Sequence, residues 1–191
     1  VHHLSFALLK NRLHGFTLLS ATVLVSLTAI PLTETNLGMV TASAQAQTTQ
    51  ERNAEAWRLY QVGEEQYKQS QFREALETFQ EVLVIVREIG QRKGEGTTLY
   101  YIGLVYDKLG QYAKALEFYT QALPIAKQIG NKAGEGSTLN DIGLVYYKLG
   151  QYAKALEFYT QALPIAKQIG NKAWAYRERL PLLPLVKMMG C

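Results

Sequence analysis

Ile102–Ala133 (IGLVYDKLGQYAKALEFYTQALPIAKQIGNKA) recurs at Ile142–Ala173 with one change, Asp107 to Tyr147. A weaker copy precedes both: Val62-Gly63, Gln71-Phe72, Ala75-Leu76, Phe79 and Ile89-Gly90 keep the same register. The chain therefore contains three units of forty residues. A fixed period in this range marks an array in which each unit buries its apolar face on its neighbour. Arrays of this kind usually present a binding surface.

Within the middle unit, Leu99, Ile102, Gly103 and Tyr106 fall at i, i+3, i+4 and i+7, one face of a helix. Gly110 then supplies a residue suited to a left-handed helix end. Tyr112, Ala115, Leu116, Tyr119, Ala122, Leu123 and Ala126 continue as a second helix, which Gly130 ends. Each unit thus reads as two antiparallel helices joined by a short turn. Small and large residues alternate on the packed faces, so Gly103 and Ala115 allow close approach while Tyr106, Tyr112 and Tyr119 fill the space beside them. Pro124 and Pro164 sit inside the second helices. An interior proline costs about 3 kcal/mol. The apolar pattern continues past both prolines to Ile129 and Ile169, so they are read as tolerated kinks, the alternative being a helix that stops near Leu123.

The first 46 residues differ from the rest. They hold all three histidines and none of the twelve tyrosines. Lys10 and Arg12 precede the apolar run Phe16–Leu32, and the stretch ends in Ala42-Ser43-Ala44-Gln45-Ala46. Positive flank, apolar run and small-residue site are the parts of a secretory signal peptide. Export is expected, with cleavage after Ala46, or Ala44 as second choice. An uncleaved membrane anchor is the rival, although the run is short for a span. The sole cysteine, Cys191, offers no internal disulfide to an exported chain.

The formal net charge is +4 and no Lys/Arg-rich run occurs, so nucleic acid is discounted as a partner. Beyond Ala46 there is no histidine, and Asp107 and Asp141 are the only aspartates. That excludes a Cys-His pair and histidine metal sites there. Gly94-x-Gly96 and Gly134-x-Gly136 follow no strand and precede no Gly-Lys-Ser, so they make no phosphate loop. They read as hinge or linker. No catalytic residue, cofactor or metal site is expected.

Leu99-x-x-Ile102-Gly103-x-x-Tyr106, Gly110-x-Tyr112, Ala115, Tyr119 and Ala122 together resemble a tetratricopeptide repeat. The longer period is similar to the branch found in kinesin light chains and G-protein-modulator scaffolds. Unit one departs at Gln66 and Val82, where the others have Tyr and Ala. The resemblance implies an all-α fold, a right-handed superhelical stack of three helical hairpins. The expected divisions are a signal peptide or anchor over 1–46, a linker over 47–55, repeats over 56–95, 96–135 and 136–175, and an atypical tail over 176–191. Trp174–Leu180 is a possible short capping helix. The layout also resembles secreted bacterial proteins that join such repeats to a caspase-like CHAT peptidase domain, which is not found here.

In this family the first helix of each hairpin lines a groove. The matching positions are Tyr60, Glu64, Tyr67 and Lys68, then Tyr100, Leu104, Asp107 and Lys108, then Asn140, Leu144, Tyr147 and Lys148, with Tyr101 and Asp141 beside them. The implied function is a non-catalytic scaffold that binds a protein or peptide with apolar and acidic side chains outside the cytoplasm. Alternatives are a truncated regulatory arm of a secreted peptidase and a membrane-tethered assembly factor. The tyrosines can equally serve packing between repeats. The three lysines can equally serve the negative ends of the first helices.

Overall fold

The computed structural model describes residues 34–170. Residues 1–33 of the segment read as a signal peptide, and the tail from residue 171 with the expected capping helix, lie outside the described residues, whereas 34–46 belong to the first helix. Contacts divide the chain after Met39, and the helical array belongs to the unit that begins at Val40. The described residues form six helices and no strand: α1 (Glu34–Lys68), α2 (Phe72–Glu88), α3 (Arg92–Lys108), α4 (Tyr112–Gln128), α5 (Lys132–Lys148) and α6 (Tyr152–Gln168). Three successive hairpins, α1/α2, α3/α4 and α5/α6, make the all-α solenoid that the periodicity predicts.

Every joint is built the same way. At the α3/α4 turn, Gln111 N–H donates to Tyr106 O at 2.9 Å and Gly110 N–H to Asp107 O at 3.0 Å. Gly110 sits at φ +72°. This is the Schellman arrangement, which satisfies carbonyls a helix end would otherwise leave bare. The same pair of bonds recurs at the turns around Gly90, Gly130 and Gly150. Unit one departs here too, since Ser70 holds the left-handed position at φ 62°. A side chain in that conformation costs about 1–2 kcal/mol.

The core repeats with the turns. An aromatic ring lies over a glycine in each hairpin: Phe79 on Gly63, Tyr119 on Gly103 and Tyr159 on Gly143. All three rings are fully buried, as are Ala75, Ala115 and Ala155 beside them. Leu99, Ile102 and Val105 of α3, and Leu139, Ile142 and Val145 of α5, supply the matching stripes. Fully burying a side chain of this size contributes about 1.5–3 kcal/mol.

Three expectations need correction. Residues 47–55, read as a linker, continue in α1 without a break. No glycine or proline interrupts the chain there, and Arg52 is held by hydrogen bonds to Glu55 and Glu88. The glycine pairs read as hinges lie in the first turns of α3 and α5. Gly96 admits Ile125, whose Cγ2 would stand 2.7 Å from an added Cβ. Gly134 donates its N–H to the capping Asn131 Oδ1 at 3.0 Å. The hairpins therefore divide at Gln91 and Asn131, upstream of the expected repeat starts at 96 and 136. The reading of Pro124 and Pro164 as interior to their helices stands, since α4 and α6 run through them. Both prolines face solvent, where the carbonyl that loses its helix partner can be hydrated.

Candidate interaction groove

Helices α1, α3 and α5 lie side by side, and their facing side chains meet across the joints. Tyr101 is the hub. Its ring meets Tyr60 edge-on at 5.3 Å, Tyr67 at 6.3 Å and Tyr100 at 5.9 Å. Its hydroxyl donates to Glu64 Oε1 at 3.1 Å. Tyr100 reaches the next repeat, donating its hydroxyl to Asp141 Oδ2 at 2.7 Å. Asn140 Nδ2 donates to the other oxygen of Asp141 at 3.2 Å. Lys148 Nζ donates to both oxygens of Asp107, at 2.7 and 2.6 Å.

Nine of the fourteen expected groove residues therefore converge: Tyr60, Glu64, Tyr67, Tyr100, Tyr101, Asp107, Asn140, Asp141 and Lys148. The other five stand apart. Lys68 and Lys108 are exposed at the ends of their helices. Lys68 lies 3.7 Å from Glu64. Tyr147 leans on Tyr152, with ring centroids 5.4 Å apart. Leu104 is partly buried against the core, and Leu144 is partly buried as well. The readings of the tyrosines as packing or as contact surface merge here, because the same rings join the repeats and line open space.

That space comprises two cavities. One, of about 530 Å³, is walled by Trp57, Tyr60 and Glu64 of α1, Val82 and Val86 of α2, and Thr97 of α3. The other, of about 310 Å³, lies between α3, α4 and α5 and includes Thr97, Tyr100, Tyr101 and Ser137. Tyr60 and Thr97 border both. Trp57 is 61% exposed and stacks on Tyr60 at 5.6 Å. Sequence reasoning passed over Trp57, yet the forty-residue register carried the signal. Trp57, Thr97 and Ser137 are one repeat position, and all three line this space.

Electrostatics distinguish Asp141 from its neighbours. Burial chiefly lifts its carboxyl from 3.8 to about 6, the charge of Asp107 adding to the rise. Hydrogen bonds from Tyr100 and Asn140 and the nearby Lys148 oppose it. Burial also holds the phenols of Tyr60, Tyr67, Tyr100, Tyr101 and Tyr119 above their ordinary range. No group of His, Cys, Asp and Glu among the described residues is arranged to hold a metal ion.

Stacked hairpins with a lined groove along their first helices define a helical-repeat scaffold, a fold suited to protein interaction. The chain belongs to the tetratricopeptide repeat family, whose model matches residues 53–128 and again 95–168. Solved structures give the same fold. Aspartyl phosphate phosphatase F from Bacillus subtilis is 20% identical with a TM-score of 0.63, over 66% of this chain and 33% of that one. A STAND signal-transduction ATPase with a tetratricopeptide repeat sensor, from Pyrococcus horikoshii, is 31% identical with a TM-score of 0.59, over 63% and 19%. The TPR2AB domain of yeast Sti1, in a complex with pHSP90, is 20% identical with a TM-score of 0.60, over 72% and 50%. The chain thus spans between a fifth and a half of these proteins. No curated protein matches it.

Proposed function

We propose that this protein is a non-catalytic scaffold that binds a segment of a partner protein along the groove of α1, α3 and α5, outside the cytoplasm. The observation that carries the reading is the pair of adjoining cavities bordered by Tyr60 and Thr97, with the Trp57–Tyr60 stack open at their edge. Exposed aromatic pairs beside a desolvated slot are typical anchors for partner side chains. The similarity to the Sti1 domain, solved in a complex with pHSP90, supports a protein or peptide as the ligand.

Affinity capture from the extracytoplasmic fraction, read by mass spectrometry, tests this. The wild-type chain should enrich a defined set of proteins. Trp57→Ala combined with Thr97→Glu, which places a charge at the residue bordering both cavities, should lose that set while the helical circular dichroism spectrum stays the same. If the double variant is folded and captures the same set, the groove is not the binding surface.

Export rests on the leader pattern alone. Amino-terminal sequencing of the protein from its native host should begin at Gln47, or at Gln45 as second choice. Recovery of the intact leader in a membrane pellet would instead establish an anchored form. No helix among the described residues is long and apolar enough to cross a membrane.

A further inference from the structure

We propose that the groove receives a basic side chain of the partner, a lysine or arginine, whose cation seats on Asp141 among the rings of Tyr67, Tyr100 and Tyr101. This rests on the groove reading above and reverses the acidic partner that the lysines suggested. Those lysines are largely committed within the chain. Asp107 binds Lys148 through both oxygens, and Lys68 stands beside Glu64. Lys108 is exposed at the end of α3.

Asp141 has the opposite character. Its two bonded partners, Tyr100 and Asn140, are neutral donors. An ionised carboxylate has about four acceptor positions, so two remain for an incoming N–H group. With its carboxyl at about 6, Asp141 carries a charge at neutral pH that no bonded cation offsets. The rings around it are tyrosines, whose faces attract a cation at close range. Tyr119 supplies a second, independent sign. Its ring is fully buried, and its hydroxyl has no hydrogen-bond partner among the described residues. After burial itself, the charge of Asp141 acts most strongly on that hydroxyl. A guanidinium or ammonium with several N–H groups matches this set, whereas a carboxylate would meet Asp141 and Asp107 with repulsion. The register sharpens the assignment. Asn140 and Asp141 stand where the preceding repeat has Tyr100 and Tyr101, so the acid occurs at one joint of the array.

The test is an NMR titration of the full chain with three probes: N-acetyl-arginine methylamide, its neutral isostere N-acetyl-citrulline methylamide, and N-acetyl-leucine methylamide. The arginine probe should shift the amides of Tyr100, Tyr101 and Asn140 and saturate. Its affinity should exceed that of citrulline by roughly tenfold, the size of one partly desolvated cation contact. Asp141→Asn should erase the difference, Asp141→Glu should keep part of it, and Lys108→Ala should leave it unchanged. If citrulline binds as well as arginine, or leucine binds in the groove and arginine does not, the basic subsite is wrong and the groove reading stands. If no probe shifts these residues, both fall.

Discussion

Gly103→Leu should unfold most of the array at temperatures where the parent is intact. A Cβ on Gly103 would already stand 2.5 Å from Tyr119 Cε1 and 2.6 Å from its Cδ1. Tyr119 has little room to yield, being fully buried with its ring 5.8 Å from that of Tyr100. Overpacking a core typically costs about 1–3 kcal/mol, and a leucine adds three more carbons beyond that first clash. Gly103 also lies on the middle hairpin, so its distortion reaches both neighbours. Thermal melting followed by circular dichroism reads the effect. An unchanged midpoint would mean that α3 and α4 do not cross at Gly103. Gly110→Ala is the useful contrast, since no atom lies within 4 Å of a Cβ there and the strain is one of backbone alone.

Asp141→Asn should stabilise the protein above pH 6 and lose that advantage near pH 4. The folded carboxyl titrates at about 6, against 3.8 when unperturbed. Between those values the folded chain holds more protons than the unfolded one. Stability from this group therefore falls as pH rises through the window, and the penalty is complete above it. Asparagine carries no such penalty and can still accept from Tyr100 through its carbonyl oxygen. Allowing for the partial exposure of the site, the gain is on the order of 1–2 kcal/mol. Denaturant unfolding of both chains at pH 7.5 and pH 4.5 measures it. Equal differences at the two values would mean that Asp141 is well hydrated in the folded state. A residue that lowers stability while remaining available to a ligand fits a binding role better than a structural one.

The hairpins could be read from sequence because each rests on local rules. Helical spacing marks the buried faces, and a glycine that must be left-handed marks the turn. The ring-over-glycine contact was also legible, since Gly103 and Tyr119 alternate small with large in every unit. The 47–55 segment was not. It is polar and looks like a linker, and what holds it is reached only after the chain has folded back, at Glu88. The groove was half legible for the same reason. Lys108 and Lys148 have near-identical neighbours in sequence, so nothing local tells them apart. The acceptor for Lys148 is Asp107, forty-one residues away across a joint. The position one repeat before Asp107 is Tyr67, so an acid of that kind is missing at the preceding joint.

The uniform Schellman turns make the hairpins interchangeable parts. Removing residues 102–141 would splice Tyr101 to Ile142 and leave each remaining turn, glycine and ring in its proper phase. The shortened chain would keep Tyr100, Tyr101 and Lys148 but would lose Asp107, Asn140 and Asp141 together. A copying slip that rejoined the two near-identical stretches ahead of Asp107 would thus cost one hairpin and the groove's central acids at a stroke. The tyrosine-lined wall of the groove and the structural grammar would survive, and the charge preference would not.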